Sequence, residues 1–195
     1  MITPDLILEN ERVRLEPLEE RHISILAKVA LDKALWLYTS AKINSFADYE
    51  KYMNTALQEK ENNQAFPFVV FDKISQSYAG STRFGSFSWE NKRLEIGWTW
   101  YGTSYQGTGI TKQCKFLLLS YGFENLDLNR IELKTSLLNE KSQRAMLRIG
   151  AVKEGILRRH IINDDGTLRD SVYFSFIKEE WPGIQDQYFS EFLKS

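Results

Sequence analysis

The sequence predicts an α/β (α+β) fold: one domain with a mixed, mostly antiparallel sheet of seven strands flanked by helices. Three observations carry this. Segments with the alternation of half-buried strands recur along the chain, and three of them follow one another between residues 66 and 100. Between residues 93 and 150 a strand, a helix, a second strand and a second helix alternate, the pattern of a crossover unit. The 195 residues, 43% hydrophobic and 13% aromatic, suffice for one sizeable core and are short for two.

Asn10 to Leu18 opens the sheet, with Val13 and Leu15 between Arg12, Arg14 and Glu16. Pro17 ends that strand, and Ile23, Leu26, Ala27, Ala30 and Leu31 then predict a helix over Glu19 to Leu37 buried on one face. A second helix is expected from Ala47 to Gln58. After the polar break Glu59 to Gln64, strands follow at Phe66 to Phe71, Tyr78 to Phe87 and Arg93 to Trp100, an antiparallel meander. A turn with two glycines, Tyr105 to Lys112, leads into a helix striped by Ile110, Cys114, Leu117, Leu118 and Tyr121 and running to about Glu124. Strand periodicity returns at Arg130 to Leu137. The next helix starts at Asn139, a good N-cap, and stops at Gly150, a good C′ residue. A hairpin, Gly155 to Ile162 and Thr167 to Ile177, turns through Asn163-Asp164-Asp165-Gly166. Residues 1–178 are expected to form the domain. Residues 179–195, with Trp181, Ile184, Tyr188, Phe189 and Phe192, form a C-terminal amphipathic helix packed on it or on a partner subunit, in a monomer or homodimer.

Composition excludes several classes of partner. The 25 basic and 26 acidic residues nearly cancel and no Lys/Arg-rich block stands out, so neither nucleic acid nor an anionic membrane is indicated. Cys114, the lone cysteine, cannot form an internal disulfide; it lies on the apolar stripe of its helix and reads as packing. His22 and His160 are far apart, so no metal site is expected. No segment has the make-up of a signal peptide or approaches the ~20 apolar residues of a membrane span, and the expected location is cytoplasmic.

The turn Gln106-Gly107-Thr108-Gly109-Ile110-Thr111 carries the chemistry. Glycines let backbone N–H groups close around an anion, and the first turn of the following helix adds unpaired donors and a partial positive charge. Two nucleotide motifs fail here. Gly102 and Gly107 have P-loop spacing, but Thr108-Gly109 stands where Lys-Ser/Thr must reach the outer phosphates; Gly107 and Gly109 begin a dinucleotide fingerprint, but Lys112 fills the third glycine position.

The residues instead resemble the GNAT superfamily of acyl-CoA-dependent N-acetyltransferases, whose signature is Gln/Arg-x-x-Gly-x-Gly/Ala between a strand and a helix. Gln106 to Ile110 match it, and Thr111 stands where a small residue is usual. Glu95-Ile96-Gly97, Asn139-x-x-Ser142, Gly150 and the order of elements extend the likeness over nearly the whole chain. The Asn-x-x-Ser spacing looks like the branch that acetylates N-termini of ribosomal proteins. Met146 replaces the tyrosine acid common in the superfamily and Ala151 the usual Phe, and a thioether cannot protonate a thiolate, so the resemblance assigns that role to Ser142. It further implies a sheet splayed at the acyl-CoA site, acetyl-CoA as cosubstrate, backbone groups of Trp98, Thr99 and Trp100 along the pantetheine arm, and N–H groups from Gln106 to Thr111 on the pyrophosphate. Asn139 would contact the pantetheine.

Chemistry demands a free amine, donors for the oxyanion and a proton for the leaving thiolate. Glu95 is the first candidate base, with a solvated carboxylate or a salt bridge to Arg93 as the alternative; His160 is the second. An α-amine with a pKa of about 7.7–8.0 is easier to deprotonate than a lysine near 10.4 by roughly 3.5 kcal/mol, so a site without an obvious strong base favours a protein N-terminus. Antibiotic and polyamine amines stay open as acceptors, and Thr111 and Met146 keep open a non-catalytic acyl-CoA-binding domain.

Overall fold

The computed structural model describes residues 2–193. Its strands are β1 (Leu8–Glu9), β2 (Val13–Pro17), β3 (Ala65–Asp72), β4 (Ser77–Ser88), β5 (Arg93–Tyr101), β6 (Arg130–Ser136), β7 (Val152–Ile162) and β8 (Leu168–Ile177), in one sheet ordered β1-β2-β3-β4-β5-β6-β8-β7. The sheet thus has eight strands where seven were expected. The extra strand pairs only Leu8 with Leu15 and Glu9 with Arg14, too short to show a periodicity.

Helices α1 (Arg21–Ala30), α2 (Phe46–Glu61), α3 (Ile110–Ser120), α4 (Glu140–Leu147) and α5 (Trp181–Tyr188) flank it. The first helix ends seven residues before Leu37, because the Asp32 carboxylate accepts the Ala34 N–H at 2.9 Å and starts a separate 3-10 turn, Lys33–Trp36. Ser45 and Asp48 form a reciprocal capping box that starts α2. Beyond α3 the chain continues as a wider π turn, Tyr121–Asn125, and beyond α5 as a 3-10 turn, Ser190–Phe192.

Two cores sandwich the sheet. The larger joins Leu94, Ile131, Leu133 and Phe174 to Ile110, Cys114 and Leu118 of α3 and to Trp181 and Phe189 of the C-terminal segment. Each fully buried side chain of this size contributes roughly 1.5–3 kcal/mol. The aromatic face of the C-terminal segment is covered by its own chain: Phe189, fully buried, lies 5.5 Å from Phe116 and 5.8 Å from Trp181. The smaller core joins α1 and α2 to Val69 and Trp100.

Four of the seven strand pairings position the site. β3, β4 and β5 form the antiparallel meander, and β6 pairs antiparallel with β8. Between these halves lies the one parallel pairing among the described residues, produced by the crossover through α3, and it lasts three residues, Arg93–Glu95 against Arg130–Glu132. Past Glu95 the strands part, and the sheet is splayed there.

Candidate active site

The glycine turn closes on the head of α3. Gly107 and Gly109 have φ of 78° and 88°, left-handed values that an L side chain rarely adopts, and Gly109 is the N-cap of α3. The Gln106 N–H donates to Thr103 O at 3.2 Å, so the unpaired donors begin one residue later than expected. Among the described residues, the N–H groups of Gly107 to Thr111 donate to no group of the protein. These unpaired donors sit together at the positive end of α3.

Two cations that the sequence does not flag brace it. Arg12 Nη1 donates to Thr108 O at 2.6 Å from 96 residues away, and Lys141 Nζ, in the first turn of α4, donates to Gln106 Oε1 at 2.6 Å. Gln106 Nε2 donates to Tyr101 O at 3.2 Å, so its side chain is a strut from the end of β5 to α4. Thr111 is partly exposed in the first turn of α3, beside the fully buried Ile110.

The edge of β5 that faces β6 has no strand partner past Glu95. Here Trp98 and Thr99 together oppose Thr82 of β4, a bulge in which Trp98 takes φ 50°. Thr99 Oγ1 lies 2.7 Å from Thr82 Oγ1. The Trp98 ring carries the Arg83 guanidinium at 5.2 Å and the Lys134 ammonium at 6.0 Å, while Trp100 is buried 5.5 Å from Trp36.

At the fork the Glu95 carboxylate is buried. It accepts from Lys134 Nζ at 2.7 Å and Ser86 Oγ at 3.2 Å, and the bare Cα of Gly97 makes room for it: a Cβ there would stand 2.7 Å from Oε1. Arg93, the partner the sequence suggests for Glu95, pairs with Glu132 instead. Tyr173 of β8 sits opposite Lys134, and its hydroxyl lies 3.5 Å from His160 Nε2. Burial pushes the His160 pKa below its ordinary value, with Lys134 and Arg169 adding to the effect and Glu95 opposing it, so the imidazole is neutral near pH 7. Its Nδ1 is buried without a partner among the described residues.

The structure therefore brings Glu95 and His160 into one polar cluster. Asn139 and Ser142 stand apart from it on the first turn of α4, beside Lys141: Asn139 Oδ1 accepts the Ser142 N–H at 3.1 Å, and the Ser142 hydroxyl bonds to neither Glu95 nor His160. Burial pushes the Cys114 thiol up to about 12, in keeping with packing. The segment between α1 and α2 closes over the hairpin, where Asp164 N–H donates to Ser40 O at 3.0 Å and Arg169 Nη1 to Tyr38 O at 3.4 Å. Among the described residues no three His, Cys, Asp or Glu side chains are grouped to hold a metal ion, and no helix is long and apolar enough to cross a membrane.

The family model for the acetyltransferase (GNAT) domain matches residues 12–152, most of the chain, including the turn, α4 and the β5–β6 side of the fork; His160 and Tyr173 lie beyond the match. The chain belongs to the GNAT family of N-acetyltransferases. Relatives of this GNAT enzyme include YdaF of Bacillus subtilis (strain 168), provisionally named a ribosomal N-acetyltransferase, 28% identical over 180 residues that cover 89% of this chain and 96% of YdaF. The ribosomal-protein-serine acetyltransferase of Escherichia coli (strain K12) is 26% identical over 165 residues, covering 82% and 90% of the two chains. A crystal structure of a GCN5-related N-acetyltransferase from Brucella melitensis superposes with a TM-score of 0.85 at 27% identity, covering 95% of this chain and 85% of that one.

Proposed function

We propose that this N-acetyltransferase moves the acetyl group of acetyl-CoA onto a protein N-terminal α-amine by direct attack, without a covalent enzyme intermediate. The observation that carries the donor half is the row of unpaired N–H groups from Gly107 to Thr111, flanked by Arg12 and Lys141 and opening onto the unpaired edge of β5. A diphosphate fits those donors and the Lys141 ammonium, with Arg12 engaged on the Thr108 carbonyl, and a pantetheine arm fits an edge that offers N–H and C=O groups like those of a missing strand. Bound there, acetyl-CoA supplies an acetyl thioester.

The residues divide the remaining work. Backbone groups from Trp98 to Trp100, at and past the bulge, run beside the arm. Asn139 and Ser142 present the head of α4 to the arm; the Ser142 hydroxyl passes a proton to the departing sulfur and regains one from solvent, because the Met146 thioether has no acidic proton to give. On the acceptor side His160, neutral near pH 7, takes the proton of the incoming amine. Both bonds that the structure gives Glu95 fall on Oε2, from Lys134 and Ser86, so its part is to hold the Lys134 ammonium and set the charge of the pocket.

The acceptor half rests on the low pKa of an α-amine and on relatives named for ribosomal proteins. Its test offers acetyl-CoA with one peptide bearing a free α-amine and no lysine, and one with a blocked N-terminus and an internal lysine, read by mass spectrometry. Acetylation of the first peptide in preference to the second is expected. Acetylation of the lysine alone, or of polyamines and aminoglycosides but neither peptide, contradicts the α-amine assignment.

A further inference from the structure

We propose that Arg12 is a positioning residue that aims the N–H groups of the anion turn by holding the Thr108 carbonyl. The proposal rests on the acetyl-CoA reading above for the identity of the anion. In a planar trans peptide unit the C=O of residue 108 and the N–H of residue 109 point in opposite directions, so fixing one aims the other. A flip of that unit rotates ψ of Thr108 and φ of Gly109; Gly109 has φ 88°, and Gly107, one residue earlier, has φ 78°. Glycine takes either sign of φ with similar ease, so the turn's own sequence does not stop the unit from flipping, which would aim a carbonyl oxygen at the phosphates in place of an N–H. Arg12 Nη1, a charged donor 2.6 Å from Thr108 O, removes that freedom.

Arg12 is itself held. Its backbone N–H donates to Asn10 Oδ1 at 3.0 Å, its carbonyl accepts from the Lys73 N–H at 2.8 Å, and its Nε lies 3.6 Å from Asp72. The same Asn10 donates through Nδ2 to Gln113 Oε1 at 2.6 Å, which ties the β1–β2 turn to α3 immediately past the N–H groups in question. The Arg12 Nε is buried and has no hydrogen-bond partner among the described residues. A planar fork reaches Thr108 and Asp72 together; a single ammonium reaches one of them.

The competing account makes Arg12 a staple between β2 and α3 with no bearing on the ligand. Full-length wild type, Arg12→Gln and Arg12→Lys separate the two. CoA affinity is measured by calorimetry, and that of pantetheine, which has no phosphate, by ligand-observed NMR. Arg12→Gln should weaken CoA about 10- to 100-fold while pantetheine stays within about twofold, with Arg12→Lys between wild type and Gln for CoA. Equal losses for the two ligands, or CoA affinity within about twofold of wild type, overturn the proposal. If Arg12→Gln does not fold, Arg12→Lys alone must show the selective loss. A wild-type chain that fails to bind CoA removes the cofactor reading and this inference together; a wild type that binds, with variants that bind equally well, removes this inference alone.

Discussion

Lys134 Nζ meets Glu95 Oε2 at 2.7 Å across the point where β5 and β6 part. Glu95 is the last residue of the parallel ladder on β5, and Lys134 lies two residues past Glu132, the last on β6. The ion pair therefore continues the contact between the strands after their backbone bonds stop. Its two members are unequally buried, 19% exposed for the Lys134 side chain and 4% for Glu95. Lys134→Met strands a buried carboxylate and should cost about 2–4 kcal/mol, whereas Glu95→Gln leaves an ammonium on a flexible arm that can reach water and should cost about half as much. In urea melts of both singles and the double variant, the double should lose less than the sum; additive losses would show that the two groups do not act as a pair.

His160 predicts a pH signature. Burial and the Lys134 and Arg169 cations push its pKa below the ordinary value of about 6.5, so with acceptor and acetyl-CoA saturating, kcat should be level near neutrality and fall on a limb below about pH 6.5. His160→Gln should lower the plateau about 10- to 100-fold and erase that limb. A limb that persists in the variant assigns it to another group.

His22 links stability to pH in the same direction for a different reason. It is fully buried in the first turn of α1; its Nδ1 accepts the Glu19 N–H at 3.0 Å and its Nε2 lies 3.2 Å from Glu16 Oε1, an arrangement that needs the neutral ring with the proton on Nε2. Burial, then Arg21, lowers its pKa. A depressed folded pKa means the unfolded chain binds the proton more readily, so this stability is present above about pH 6.5 and is lost as pH falls. Glu16 adds to the trend at lower pH: burial raises its pKa, but the Tyr78 hydroxyl and Arg14 outweigh that and hold it below its ordinary value. Denaturation midpoints should drop between pH 7.5 and 5.5 in wild type and drop less in His22→Gln. Parallel drops in both chains would remove His22 as the cause.

Two glycines with similar backbone angles should respond differently to a methyl group. At Gly107 a Cβ meets nothing within 4 Å, so Gly107→Ala costs only the left-handed backbone, about 1–2 kcal/mol. At Gly150, φ 87°, a Cβ would stand 2.8 Å from two ring carbons of Tyr188 in α5, and Gly150→Ala should cost about 2–4 kcal/mol. Thermal unfolding compares them. Equal losses would mean that the α4–α5 contact yields without cost.

The sequence discloses what repeats and what is punctuated. Strand alternation, the stripe of α3, and Asn139 and Gly150 at the ends of their helical segment were legible because each follows from a few adjacent side chains. The end of α1 was not, since no glycine or proline marks it and Asp32 stops the chain by a side-chain bond. The bulges that shape the fork lie at Ser86 and Trp98, residues whose type gives no hint of positive φ. The glycine turn itself is readable from its letters. Its braces, Arg12 and Lys141, and the Lys134 partner of Glu95 are 96, 35 and 39 residues from what they hold, and no local pattern encodes such distances.

The central claim, that the turn before α3 holds the diphosphate of acetyl-CoA, is tested most directly by the backbone amide NMR spectrum of the 15N-labelled chain titrated with CoA. The largest shifts are expected at the amides of Gly107 to Thr111, with smaller ones along Trp98 to Trp100 and at Ser142. Saturable shifts confined to other segments, or a spectrum unchanged at high micromolar CoA, would contradict the account.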